Sequence, residues 1–474
     1  MTDLTHPTPS ANHFDLIIVG SGSGNSIPEV LAPWRIAMVE RGIFGGTCLN
    51  VGCIPSKMFV LPADRALKAA ESKLEITTSF SGVDWPALRD RIFGRIDSIS
   101  AGGEEYRASG TEGLTLYRGT ARFTADRSFT VAMNDGSPDA IISGDRVLLA
   151  AGSRPLLPEI EGMASVGVHT SDTIMRLDSL PKRLAILGAG YIAAEMGHVF
   201  SSFGSRVIMY ARSGQILRSQ DRDIATRFTE QFAQRIDLKL NNVPIRMERT
   251  PLGIEITGSD GEISVVDEVL VAIGRIPNSD LLDPGQGGIA LTADGRVEVN
   301  EYQETSAPGV WAFGDISNPF QLKHVANAEA KVAFANLVAS RSSGDQKRQM
   351  SYAAIPAAVF SNPQVASVGA TEQELIDRGV QYFVGRRDYG GTAYGWALDD
   401  HASFAKVLLA PTGEILGAHV IGPQAASLIQ PLIQAMTLGQ TAHQIAREVM
   451  YIHPALTEVV ENALLEGLNA IEVG

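Results

Sequence analysis

Cysteine is scarce here: the 474 residues contain two, Cys48 and Cys53. That scarcity excludes a secreted scaffold held by many bridges. It also leaves too few thiols for a clustered zinc site, and no metal centre is expected. Long apolar runs are missing as well, for no stretch approaches the roughly 18 residues that cross a bilayer. Positive charge is in deficit, with 39 Lys+Arg against 53 Asp+Glu and a net charge of -14. The acidic balance favours solubility and speaks against a nucleic-acid or anionic-membrane surface. Met1 to His13 is polar, carries Pro7 and Pro9, and lacks the basic and apolar regions of a signal peptide. It reads as the loose tail of a cytoplasmic protein. What remains is an ordinary globular composition, 45% hydrophobic and 19% charged, long enough for two to four domains.

Both cysteines fall in one stretch, Gly45-Gly46-Thr47-Cys48-Leu49-Asn50-Val51-Gly52-Cys53-Ile54-Pro55-Ser56-Lys57. Glycines before and between them let the backbone bend until the two sulfurs come within disulfide reach. Pro55 suits the first turn of a helix. A thiolate released at a helix N-terminus is favoured by the positive end of the dipole. A purely structural bridge is unexpected without a secretory signal, because cytosolic disulfides are usually catalytic or sensing. The pair therefore points to thiol-disulfide exchange.

Two glycine-rich turns flank this chemistry. Asp15 to Val19 reads as a strand ending in Gly20-Ser21-Gly22-Ser23-Gly24-Asn25, a turn whose backbone N–H groups can approach a pyrophosphate. Glu40 follows the strand Ile36 to Val39 and can accept from a ribose. Asn25 stands where a third glycine is usual, and Pro28 and Pro33 interrupt the place of a long helix. The pattern recurs 168 residues later: Leu184 to Leu187 leads into Gly188-Ala189-Gly190-Tyr191-Ile192-Ala193. Its second strand, Val207 to Tyr210, ends in Ala211-Arg212 with no acid for a free ribose hydroxyl. Arg212 and Arg218 instead flank Ser213-Gly214. Arginine pairs well with phosphate, so NADPH is favoured over NADH, against the plainer reading of two solvated arginines.

The remaining chain alternates. Helices are expected after Lys57 and from Trp85 to about Tyr106. Strands are expected over Leu114 to Arg118, Ala121 to Thr124, Phe129 to Met133, and Val147 to Ala151 before Gly152. The run Val269 to Asn278, with Gly274, reads as a further strand and turn. Val310 to Phe313 leads to Gly314-Asp315, and a helix begins around Val325. Ser340 to Asp345 marks a boundary. Beyond it, strands at Ala357 to Gly369, Phe404 to Leu409 and Ile415 to Ile421, with helices at Ala425 to Thr437 and Ala442 to Met450, make a separate α+β domain. The last motif is His453-Pro454-Ala455-Leu456-Thr457-Glu458. Pro454 is expected at the first position of the closing helix, with Glu458 in its second turn facing back to the imidazole. Alone, such a turn is more often a cap. Beside a redox dithiol, a carboxylate-oriented imidazole is the base that exchange needs.

Taken together, GGTCLNVGCIPSK, the two dinucleotide turns, the Ala312-Phe313-Gly314-Asp315 segment and the HPALTE end resemble the pyridine nucleotide-disulfide oxidoreductases. The likeness runs from about Asp15 to the C-terminus. It implies an α/β fold with two Rossmann-like domains, for FAD and NADPH, and a C-terminal α+β dimerisation domain. The expected divisions are 1–155 for FAD, 156–278 for NADPH, 279–345 for a central segment returning to FAD, and 346–474 for a homodimer interface.

The same resemblance implies the roles. Cys53 would face the flavin as the charge-transfer thiol, and Cys48 would attack the substrate disulfide. His453 of a second subunit would exchange protons, paired with Glu458. Lys57 would lie near the flavin and pair with Glu195. Gly20, Gly22, Gly24, Glu40, Gly46, Thr47, Gly152, Asp315 and Ala326 would contact FAD. Gly188, Gly190, Tyr191, Ile192, Glu195, Arg212, Arg218 and Gly274 would line the nucleotide site, Tyr191 covering the nicotinamide pocket. GSGSGNS, Ser100 to Arg107, Leu322 to Asn327 and Gly391 to Ala397 are similar to the mycothiol-dependent branch, which implies mycothiol disulfide (mycothione) as substrate. A dihydrolipoamide dehydrogenase and a glutathione-type reductase stand as alternatives, and a flavin-binding subunit without turnover as a third.

Overall fold

A computed structural model describes residues 12–341 and 346–473. Most of the expected tail, and residues 342–345 of the expected boundary, lie outside the described residues. The chain divides into two compact units. The first comprises Met1–Pro55, Asp90–Arg154 and Arg275–Ser351; the second comprises Ser56–Arg89, Pro155–Gly274 and Tyr352–Gly474.

The first unit is built on an eight-stranded sheet. Its order is His13–Phe14, Ala140–Gly144, Ser128–Met133, Leu114–Ala125, Ile36–Glu40, Leu16–Val19, Val147–Leu149 and Val310–Ala312. Leu114–Ala125 pairs parallel to Ile36–Glu40, and the next three strands continue parallel. Leu16–Val19 is central and every residue of it is buried. That is why it reads LIIV without alternation: a parallel strand covered on both faces has no polar side. One face packs with Phe123, Phe129 and Val131, the other with Trp34, Trp311, Phe334 and Leu337. The two expected strands over Leu114 to Thr124 are one strand, Leu114–Ala125. Gly119 does not interrupt it because a Cβ there would lie 2.4 Å from Ala132 O, so the partner strand passes too close for any other residue.

The second unit contains three sheets. A four-stranded parallel sheet runs Asp237–Leu240, Arg206–Ala211, Arg183–Leu187 and Glu268–Val271. A three-stranded antiparallel sheet, Pro244–Thr250, Gly253–Gly258 and Ile263–Val266, adjoins it in sequence. The C-terminal part is a five-stranded antiparallel sheet, ordered Pro356–Val359, Val365–Gly369, Ile415–Ile421, Phe404–Leu409 and Phe383–Asp388. The closing helix Thr457–Val473 lies on it so closely that a Cβ at Gly385 would sit 2.0 Å from Ala463 O.

Two expectations are corrected here. The single strand over Ala357 to Gly369 is a hairpin, and the helix over Ala425 to Thr437 is two helices, Ala425–Leu428 and Gln430–Leu438. Pro431 lacks the N–H that would continue the helical ladder, so a new helix begins beside it. Lys406 is 1% exposed and is surrounded by Asp221, Asp223 and Glu372 at 2.9, 2.8 and 2.6 Å. Burial disfavours its charge, but the three carboxylates outweigh that and raise its pKa.

Candidate active site

The dithiol segment folds as a short helix, Gly46–Asn50, followed by Cys53–Ala70. Pro55 sits in the first turn of the longer helix, where its missing N–H costs nothing. Neither cysteine is in a disulfide; Cys48 is half-buried and Cys53 exposed. A hydrogen bond with Cys53, then burial, raises the pKa of Cys48, while the charge of Lys323 works the other way.

The structure brings this segment against the first glycine turn. Gly46 has φ 73°, and a Cβ there would lie 2.7 Å from Gly22 Cα, so the two backbones meet where residue 46 cannot carry a side chain. Gly20 has φ 105°, and its Cβ would fall 2.3 Å from Ala150 O. Ser21 links the motifs: its Oγ donates to Glu40 Oε2 at 2.6 Å and accepts from Gly45 N at 2.8 Å. Ser21 N also donates to Glu40 Oε2, at 2.8 Å. The carboxylate thus stands at the strand end, only half-buried, with capacity for further donors. Asn50 Nδ2 donates to Phe44 O at 2.8 Å and Gly46 O at 3.0 Å, and Ser100 Oγ donates to Phe44 O at 2.6 Å. At the neighbouring strand ends, Ser153 Oγ donates to Asp315 Oδ2 at 2.7 Å. Gly314 Cβ would lie 3.3 Å from Ala326 Cβ, which places the start of Lys323–Ala339 beside Asp315. A cradle of backbone glycines with two carboxylates at strand ends fits a dinucleotide: amides for its phosphates, acceptors for its hydroxyls.

In the second unit, Gly188 has φ 124°, and a Cβ there would lie 2.1 Å from Ala272 O. Gly190 caps the helix Tyr191–Ser202 with open space where a Cβ would be. Gly274 has φ 143° and is equally open. Tyr191 is 37% exposed at the first position of the helix, and Ile192 follows half-buried. Glu195, one turn on, is 3% exposed. Lys57 Nζ donates to both of its carboxylate oxygens at 2.7 Å, and Phe360 N donates to Oε1 at 3.1 Å. The same ammonium lies 4.7 Å from the Phe360 ring centroid. Arg212 and Arg218 are exposed and make no hydrogen bond or ion pair among the described residues.

His453 is exposed, and its Nδ1 lies 2.8 Å from Glu458 Oε1. That bond, ahead of the opposing effect of burial, lowers the carboxyl pKa of Glu458. The helix begins at Thr457, so Pro454 precedes it by three residues and Glu458 is in its first turn. Leu456, buried at 5% exposure, lies in the non-helical segment just ahead of the helix.

Sequence reasoning missed Ser21, Ser153 and Phe360. Serine beside a glycine turn is too common to stand out, and Phe360 acts through its backbone N–H and ring face, which no residue spacing announces.

A two-Rossmann frame with a dithiol at a helix start defines a class, and the sequence pattern described as pyridine nucleotide-disulphide oxidoreductase matches residues 14–331. The chain belongs to that family: it is an NAD(P)H-dependent disulfide oxidoreductase with FAD as its second cofactor. The family's dimerisation domain matches residues 355–464, which supports a homodimer. Mycothione reductase of Mycobacterium tuberculosis is 44% identical over 95% of this chain and 99% of that protein. Dihydrolipoyl dehydrogenase of Geobacillus stearothermophilus is 31% identical, covering 95% of each chain. Among solved structures, the HOCl-induced flavoprotein disulfide reductase RclA from Escherichia coli superposes with a TM-score of 0.82 at 25% identity, covering 95% of this chain and 99% of that one. Among the described residues, no helix is long and apolar enough to cross a membrane.

Proposed function

We propose that the chain is a cytoplasmic NADPH-dependent reductase of mycothiol disulfide, acting as a homodimer through a Cys48–Cys53 dithiol. What carries this reading is the pair of unequal thiols beside a dinucleotide cradle, in a chain 44% identical to a mycothione reductase. Residues 1–155 and 279–345 would hold FAD, 156–278 NADPH, and 346–474 the second subunit. Glu40 and Asp315 would accept from FAD hydroxyls, with Gly20, Gly22, Gly24, Gly46, Thr47, Gly152 and Ala326 lining the approach. Gly188, Gly190, Tyr191, Ile192 and Gly274 would receive the nicotinamide nucleotide, and Arg212 and Arg218 its 2′-phosphate.

FAD, when bound, relays two electrons from NADPH to the dithiol. Glu195, itself held by the Phe360 amide, fixes the position of the Lys57 ammonium. His453 of the partner subunit takes the proton of Cys48, its ring oriented by Glu458. Cys48 then attacks one sulfur of the substrate disulfide and forms a mixed disulfide as the other sulfur leaves. The proton on His453 passes to the departing thiolate. The Cys53 thiol attacks the Cys48 sulfur, the bond from Cys48 to the substrate breaks, and the Cys53 proton passes to the second leaving thiolate as the bridge is restored, so one NADPH and one proton yield two thiols and NADP+.

The test is a steady-state panel of disulfides with NADPH and NADH. Mycothiol disulfide with NADPH should turn over far faster than glutathione disulfide, and equal or reversed rates refute the substrate assignment. Reduction of NAD+ by dihydrolipoamide at a comparable rate would instead favour a dehydrogenase.

A further inference from the structure

The first glycine turn lacks the helix that normally follows it. After Leu16–Val19 the chain makes two three-residue helical turns, Ser23–Asn25 and Glu29–Leu31, before the strand Ile36–Glu40. A full helix would bring roughly half a positive charge and a row of free amides to a bound diphosphate. A single turn brings little of either. Side chains from elsewhere occupy the gap. Lys323, the first residue of Lys323–Ala339, donates from Nζ to Ser23 Oγ at 2.8 Å. Ser23 is 8% exposed, lies between Gly22 and Gly24, and donates to Asn327 Oδ1 at 3.1 Å. Arg107 holds Asn25 at both ends, Nε to Oδ1 at 2.7 Å and a terminal nitrogen to the backbone O at 3.0 Å.

We propose that Lys323 binds the diphosphate of the dinucleotide at this turn, supplying the charge the absent helix would have supplied, with Arg107 as the positioning residue that shapes the turn through Asn25. The bond to Ser23 uses one of the three ammonium donors and leaves two for phosphate oxygens. The inference rests on the reading that this turn receives FAD.

The experiment uses apoprotein prepared by flavin removal. FAD binding is followed by flavin fluorescence, and ADP is measured as a competitor of FAD, so that only this site is read. Lys323→Met is expected to weaken both FAD and ADP about 10- to 100-fold and to reduce the salt dependence of binding, while Lys323→Arg restores most of the affinity. Unchanged ADP affinity in Lys323→Met overturns the proposal and assigns the charge to the thiol pair. NADPH binding at the second turn reports that the variant is folded. Arg107→Met should weaken ADP with the wild-type salt dependence, whereas a merely structural role would lower Tm and leave the affinity of the folded fraction unchanged. Wild-type apoprotein that fails to bind FAD removes the flavin reading, and this inference with it.

Discussion

Lys57→Met removes the cation from a carboxylate that has little water. Glu195 side chain is 5% exposed and Lys57 35% exposed, with both carboxylate oxygens 2.7 Å from Nζ. Breaking a fully buried pair from one side typically costs about 3–5 kcal/mol, because the remaining charge stays desolvated. Two features lessen that here: the ammonium is about one-third hydrated already, and Phe360 N still donates to Oε1 after the change. The expected loss is about 2–3 kcal/mol, which lowers Tm on the order of 5–10 °C in a unit of this size. Lys57→Met/Glu195→Leu should recover most of the loss, since an apolar pair leaves no orphaned charge. Flavin loss would also lower Tm by linkage, so the wild type, Lys57→Met, Glu195→Leu and the double variant are compared both as apoprotein and at saturating FAD. The coupling should persist without flavin. A Lys57→Met protein within about 0.5 kcal/mol of wild type, with an additive double variant, would refute the reasoning.

His453→Gln should lower turnover with the disulfide substrate by about 100-fold or more, the scale of a lost general acid-base, while stopped-flow reduction of the flavin by NADPH keeps its rate. Because the carboxyl pKa of Glu458 is depressed in the folded protein, its stabilisation is present above the ordinary value of 4.5 and is lost as pH falls through the lower folded value. Glu458→Gln should therefore flatten the stability profile below about pH 5 in denaturant titrations. Arg212→Ala is expected to raise KM for NADPH about 10-fold or more, the scale of a lost bond to a charged group, with KM for NADH unchanged. Lys406→Met, which strands the fully buried Asp221, should cost about 3–5 kcal/mol in thermal or denaturant unfolding.

The central strands were legible because Leu16–Val19, Arg183–Leu187 and Glu268–Val271 are buried parallel strands, which need continuous apolar runs. The glycine turns were legible for a related reason: Gly20 and Gly188 carry positive φ against a neighbouring carbonyl, a position with one chemical solution. The hairpin within Ala357 to Gly369 and the break beside Pro431 were not, since apolar content persists across both. Local spacing also misplaced the start of the closing helix by three residues, at Pro454 instead of Thr457.

The sequence by itself determined the chemistry: two thiols with four residues between them, two glycine turns, and no acid at Ala211 beside Arg212. Those are local covalent and steric requirements, and they leave a local mark. Only the tertiary structure decided that Cys53 and burial raise the pKa of Cys48, that Ser21 joins Glu40 to the dithiol segment, and that Lys323 meets Ser23, from which it is separated by 300 positions. Electrostatics and hydrogen bonding depend on distance in space, and folding alone brings those residues within range.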